Sequence, residues 1–201
     1  YAYMELFGGE KGLEAKLDAL FTASSEMPPG SPPDIAGLVG QYAHGNEPCH
    51  HVAYLYAYCG AHHKTQAQVR MLLKSQYQAK PDGLSGNEDC GQMSAWYVMS
   101  ALGLYPVDPV MGAYVFGSPL FPRAEIAVGQ GRKLVIEAKG VAPDRFYIQS
   151  VTWNGAAHDR CWIGHDELAK GGRLVFQMGE RPNPAFGAAR SSRPPSTPKF
   201  A

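Results

Sequence analysis

An α+β architecture is what this 201-residue chain predicts, and three observations carry it. Apolar residues recur at helical spacing through the first hundred positions. From Tyr114 onward the period changes to two. The two regimes follow one another rather than alternate, which argues for a helical region joined to a small antiparallel β module. The expected divisions are residues 1–110 for the helical part, 111–183 for the β module, and 184–201 for a tail.

Leu13, Leu17, Leu20 and Phe21 mark an opening amphipathic helix, ahead of a Pro, Ser and Gly loop from Ser24 to Pro33. Val52, Ala53, Leu55, Tyr56 and Cys59 predict a second helix, with Gly60 as its stop. A third fits Thr65 to Tyr77, where Thr65 is the expected N-cap and Val69, Leu72, Leu73 and Tyr77 form the apolar stripe. Lys80-Pro81-Asp82-Gly83 then breaks the chain. A fourth helix reads from Gly91 to Leu104 and ends at Gly103 and Pro106. Strands are expected at 113–117, 124–128, 133–138, 146–154 and 173–178, with Asn154-Gly155 as a turn. Beyond Arg181 the chain is rich in Pro, Ser and Arg, so 184–201 reads as disordered.

Composition excludes more than it proves. Eighteen basic and eighteen acidic side chains cancel, so nothing favours nucleic acid or an anionic membrane. No apolar run approaches the ~20 residues of a membrane span. The chain opens on Tyr1 without a signal-peptide pattern, which is read as the start of a fragment of a larger product. Cys49, Cys59, Cys90 and Cys161 show no CxxC spacing. A bridge between Cys49 and Cys90 is conceivable, and small buried residues are the plainer reading.

Two polar stretches stand out: Gly45-Asn46-Glu47-Pro48-Cys49-His50-His51, and Gly83-Leu84-Ser85-Gly86-Asn87-Glu88-Asp89-Cys90-Gly91-Gln92. Each crowds acids, amides or imidazoles between helix breakers, immediately before an apolar run. Such atoms cannot all be buried without partners, so they should face a ligand, a metal or water. The helical hairpin between them returns to the end it left, so Glu47 and Asp89 are expected to share a pocket. Asn46 and Glu47 suit a hard cation such as calcium, which prefers oxygen. Glu47 could equally cap the following helix, and the residues alone do not choose. His50 and His51, with Cys49, His62 and His63, admit a zinc reading but lack HxxxH or CxxC spacing. Adjacent histidines diverge by roughly 100° on a helix, so one is expected to meet a ligand and the other to pack. Glu88 and Asp89 suit carboxylate chemistry on water, or a capping pair at the next helix.

These strings resemble the calcium-dependent α-mannosidases of glycoside hydrolase family 92. The similar segments are Asp34 to Leu38, Gln41 to Pro48 with His50-His51, Pro81 to Tyr97, Ser100 to Gly103, Tyr105 to Val107, and Gly117 to Phe121. The resemblance covers about residues 1–183. It implies that the helices belong to an (α/α)6 barrel, preceded in the family by a large β-sandwich domain. It implies exo-acting, inverting hydrolysis of terminal mannose from mannose-rich glycans, in a periplasmic or secreted enzyme. Asn46 and Glu47 would then hold Ca2+, Asp89 would be the general base, and Glu88 its catalytic neighbour. His50, His51 and Asn87 would bind substrate. Asn87 stands where the family is often acidic, which concentrates the base role on Asp89. The family's general acid lies in a Glu-Gly-Asn motif that this chain does not contain, so these residues alone are expected to be inactive. The alternative is a non-catalytic, calcium-dependent carbohydrate-binding fragment.

Overall fold

The computed structural model describes residues 1–32 and 35–196. Pro33 and Asp34, where the expected loop ends and the first resembling segment begins, lie outside the described residues, as do 197–201 of the tail. Helices α1 (Ala2–Leu6) and α2 (Glu10–Thr22) open the chain. Leu13, Leu17 and Phe21 stand four apart, so α2 buries one stripe against the core. A short hairpin, β1 (Leu38–Val39) and β2 (Tyr42–Ala43), delivers the chain to the first polar motif.

The segment after that motif is a 3₁₀ helix, Val52–Ala57, and not the α-helix that its spacing suggests. Ala53, Tyr54, Tyr56 and Ala57 are all buried, so neighbours surround it on several sides and a single 3.6-residue stripe has no meaning there. Its bonds run three residues back, as in Tyr54 N–H to His51 O and Tyr58 N–H to Leu55 O, both 3.0 Å. Helix α3 (His62–Ser75) begins three residues earlier than expected, with Ala61 at its N-cap. Thr65 is therefore no cap. It is buried within the helix, and its Oγ1 has no partner among the described residues. Helix α4 (Gln92–Ala101) follows the second motif, entered through Gly91 at φ 84°.

Ten strands are described among these residues. After α4 come β3 (Leu104–Asp108), β4 (Ala113–Phe116), β5 (Arg123–Ala127), β6 (Lys133–Lys139), β7 (Tyr147–Trp153) and β8 (Ala156–Ala157). Then follow β9 (Trp162–Gly164), a one-turn helix α5 (His165–Leu168), and β10 (Gly172–Gly179). The larger sheet has the order β5-β6-β10-β7-β8, and the smaller one β3-β4-β9. Asn154 and Gly155, at φ 51° and 86°, turn β7 into β8 as the Asn-Gly pair predicts. One pairing departs from the antiparallel expectation. The last strand, β10, inserts between β6 and β7, and it lies antiparallel to β7 but parallel to β6. The division expected at 110/111 falls inside the paired strands β3 and β4, and one buried core runs from α2 and α3 into both sheets.

Polar side chains join the two layers. His62 donates through Nε2 to the Phe116 carbonyl at 2.7 Å, so its Nδ1 must accept, and Gln66 Nε2 supplies that proton at 2.9 Å. Gln66 Oε1 in turn accepts from Ile148 N–H at 2.6 Å. One turn of α3 thus holds a strand of each sheet.

The expectation of disorder from residue 184 is corrected as far as 196. Phe186 is buried and meets the His62 ring at 5.4 Å. Arg193 is buried and donates to Ala188 O through Nε and one terminal nitrogen, at 3.0 and 2.7 Å. Glu10 pairs with both Arg190 (2.9 Å) and Arg193 (2.7 Å). Composition suggested a solvated tail, but these few anchors make it a strap across α2 and the smaller sheet.

Candidate functional site

The two polar motifs meet backbone to backbone. A Cβ on Gly86 would stand 2.6 Å from Gly45 Cα and 2.8 Å from Gly45 O, so only glycine permits this approach. The hairpin of the 3₁₀ segment and α3 does return to the end it left.

Hydrogen bonds then lock the first motif to α4. His50 is 1% exposed and donates through Nε2 to His44 O at 3.0 Å. Its Nδ1 must therefore accept, and Gln92 Nε2 provides the proton at 3.1 Å. The same Gln92 nitrogen reaches Tyr105 Oη at 3.3 Å. Trp96 Nε1 donates to His50 O at 3.1 Å, and the His44 and His50 rings stack at 4.8 Å. Behind them runs an ordered relay. Tyr77 gives its single hydroxyl proton to Met93 O at 3.1 Å, so it accepts from His44 Nε2 at 2.8 Å. His44 Nδ1 is then left to accept from Tyr42 Oη, also at 2.8 Å. Burial pushes the His44 pKa down to about 3, and it lowers that of His50 as well.

This arrangement fixes which oxygens remain. With its amide hydrogens committed, Gln92 has a carbonyl oxygen that takes no hydrogen bond from the described residues. Glu47 Oε1 is buried and has no partner among the described residues. Both side chains line one cavity of about 410 Å³, with His51, Trp96, Met99 and Tyr105 among its other walls. A buried carboxylate oxygen without a donor costs about 1–3 kcal/mol or more, so it marks a place where a cation or a hydroxyl is wanted. Glu47 is the first residue of a three-residue 3₁₀ turn, Glu47–Cys49, whose N-cap Asn46 makes no side-chain cap bond. Exposed Asn46 places Nδ2 at 3.8 Å from Cys49 Sγ.

The carboxylates of the second motif separate in role. Glu88 accepts from Ser94 N–H at 2.9 Å and Ser94 Oγ at 2.7 Å, so both oxygens are spent on the start of α4. Those bonds hold its carboxyl below the usual range. Asp89 is exposed, sits in the left-handed region at φ 43°, and takes no side-chain hydrogen bond from the described residues. It is not a wall of the Glu47 cavity; it stands on the loop three residues before Gln92. Asn87 is exposed on the same loop.

Of the expected substrate contacts, His51 is exposed and lines the cavity, whereas His50 does not qualify. Burial and two spent ring nitrogens make His50 the residue that shapes the loop. Gln92 and Tyr105 are cavity walls that sequence reasoning passed over. The signal for Gln92 was its place at the first turn of a helix entering from a polar loop. All four cysteines are free thiols, which corrects the Cys49–Cys90 bridge. Burial raises the pKa of Cys59 to about 11 and of Cys161 to about 12, so neither is a nucleophile. No three His, Cys, Asp or Glu side chains gather among the described residues as a zinc ion would require.

The buried histidines make stability depend on pH in a defined sense. His44 and His62, with folded pKa values of about 3 and about 4, stay neutral in the folded chain, whereas the unfolded chain protonates them near 6.5. Their contribution is complete above pH ~6.5 and is lost as pH falls through that value toward the folded ones. Two excluded protons give a slope of up to about 2.7 kcal/mol per pH unit. Urea denaturation at pH 7, 6 and 5 should show progressive loss; a flat profile would mean that the imidazoles are not held neutral.

The chain aligns with an α-mannosidase of family GH92 from Bacteroides thetaiotaomicron in complex with mannoimidazole, at a TM-score of 0.89 and 38% identity, covering 94% of this chain and 25% of that one. A family GH92 inverting mannosidase from B. thetaiotaomicron VPI-5482 gives a TM-score of 0.82 and 39% identity over 94% of this chain and 27% of that one. An uncharacterized secreted glycosidase of Arthroderma benhamiae is 28% identical over 158 residues, 76% of this chain and 20% of its own length. The chain thus spans about a quarter or less of the relatives it matches. The model of the glycosyl hydrolase family 92 catalytic domain matches residues 2–180, and the chain belongs to that family.

Proposed function

We propose that this chain carries one side of the active site of an inverting, calcium-assisted exo-α-mannosidase that removes terminal mannose from mannose-rich glycans. The observation that carries the reading is Glu47 Oε1, buried and without a partner among the described residues, in one cavity with the Gln92 side chain. Calcium prefers six to eight hard oxygen ligands. Glu47, Gln92 and the Asn46 amide oxygen fit that chemistry, with sugar hydroxyls and water as further donors. When bound, the ion would supply positive charge that grips the hydroxyls of the terminal mannose.

The remaining roles belong to the protein. Asp89 removes a proton from the water that attacks the anomeric carbon; Glu88, with both oxygens on Ser94, holds the loop that presents it. His51 and Asn87 contact the sugar. His50 acts through Gln92. A general acid about 6.5–9.5 Å from the base completes an inverting pair, and it is contributed by a residue outside these motifs. Domains beyond this chain, a β-sandwich among them, would pack against it. No helix among the described residues is long and apolar enough to cross a membrane. A secreted or periplasmic enzyme fits the secreted relative.

The test is hydrolysis of 4-nitrophenyl α-mannoside by the active protein, with chelation and Glu47→Gln. Chelation should abolish turnover and added calcium should restore it. Glu47→Gln should weaken calcium binding by about 100-fold, because it removes the full negative charge that the described residues bring to the cavity. Turnover that survives exhaustive chelation would remove calcium from the reading. Calcium-dependent mannose binding without turnover would favour the carbohydrate-binding alternative.

A further inference from the structure

A cavity of about 890 Å³ lies outside the site above. It is built where β4, β9 and α5 meet the Pro109–Met111 turn, and it shares Pro106 and Pro109 with the Glu47 cavity. The two hollows therefore adjoin across one proline wall. Aromatic rings line the larger one. Tyr114 and His165 lie at 29° with centroids 6.1 Å apart, and Trp162 is backed by the Arg160 guanidinium at 4.5 Å. Glu167 pairs with Arg160 at 2.9 Å, which neutralises the cation and leaves exposed Asp166 as the charge of the cleft. Trp162 Nε1 has no acceptor among the described residues.

Charge and shape narrow the occupant. With Asp166 exposed and no free Lys or Arg among the described residues that line it, the cleft disfavours phosphate or a carboxylate ligand. Flat rings ask for a ligand with an apolar face, and Asp166 asks for hydroxyl donors. A pyranose has both. Its size suits the cavity, which falls within the ~300–1,000 Å³ usual for small-molecule sites. We infer that this cleft is a second saccharide subsite, holding a non-reacting arm of the glycan whose terminal mannose enters the Glu47 cavity. The inference rests on the mannosidase reading. Trp162 and Tyr114 stack on the sugar, and the Asp166 carboxylate accepts its hydroxyl protons.

The experiment compares two substrates, 4-nitrophenyl α-mannoside and a branched mannopentaose, in the active protein and in Trp162→Ala and Asp166→Asn. KM for the pentaose should rise about tenfold in Trp162→Ala and severalfold in Asp166→Asn, with kcat unchanged and the aryl mannoside unaffected. Asp166 is exposed, so its amide variant keeps the fold even if the tryptophan variant does not. Identical KM values for the pentaose in wild type and Asp166→Asn, with Trp162→Ala also unchanged or unfolded, would overturn the subsite and leave the mannosidase reading intact. A wild-type protein that cleaves neither substrate would overturn both.

Discussion

Replacing Asp89 by Asn in the active enzyme should lower kcat for an aryl α-mannoside by about 10²–10⁴-fold, the usual contribution of a positioned general base. Calcium affinity should persist, since Asp89 is not a wall of the Glu47 cavity. The backbone makes this substitution unusually clean. Asp89 adopts φ 43°, a region that Asn tolerates as well as Asp does, and its side chain bonds to nothing among the described residues. The melting temperature should therefore stay within a degree or two of wild type. Wild-type turnover would mean that the proton goes elsewhere; a large stability loss would instead reveal a structural carboxylate. Glu88→Gln is the companion measurement. It removes a charge from the first turn of α4 but retains an acceptor for Ser94, so its effect on kcat should be much smaller.

Gly86→Ala is expected to cost at least about 10²-fold in kcat/KM and to weaken calcium binding in parallel. The new methyl would stand 2.6 Å from Gly45 Cα, where neither backbone has a flexible end to yield. The loops must part, and a displacement of about 1 Å at a catalytic centre is commonly worth two orders of magnitude. Overpacking should also lower stability by about 1–3 kcal/mol. Gly45→Ala is the graded control: its methyl would meet Ala36 O at 3.0 Å and Gly86 Cα at 3.1 Å, so the loss should be smaller. Equal activity in wild type and Gly86→Ala would show that contact between the loops does not set the site.

Much of this arrangement was legible in the sequence because it rests on local rules. The Val69, Leu72 and Leu73 stripe and the Asn154-Gly155 turn follow from periodicity and turn chemistry, and both stand in the structure. The divergence of adjacent histidines foretold that one packs and one is free. Only tertiary structure could say that His50 packs, since the choice is made by His44 O and Gln92, six and forty-two residues away. The early start of α3 was hidden for a related reason. Thr65 has a good capping side chain, yet burying His62 against the Phe116 carbonyl extends the helix backward. Gln92 escaped notice because its importance lies in two committed amide hydrogens, and a sequence does not reveal that its neighbour needs a donor.

The strap carries a consequence for the order of assembly. Glu10 and Arg190 are separated by 180 residues and pair at 2.9 Å. During synthesis, α1 and α2 emerge long before the arginines that clamp them exist. Their seat can be finished only after both sheets and the strap have been translated. Closing so long a loop adds little to the entropic cost per residue, but it places the event last in time. Helix α2 thus gains its contacts with Arg190 and Arg193 only after the intervening strands have been made.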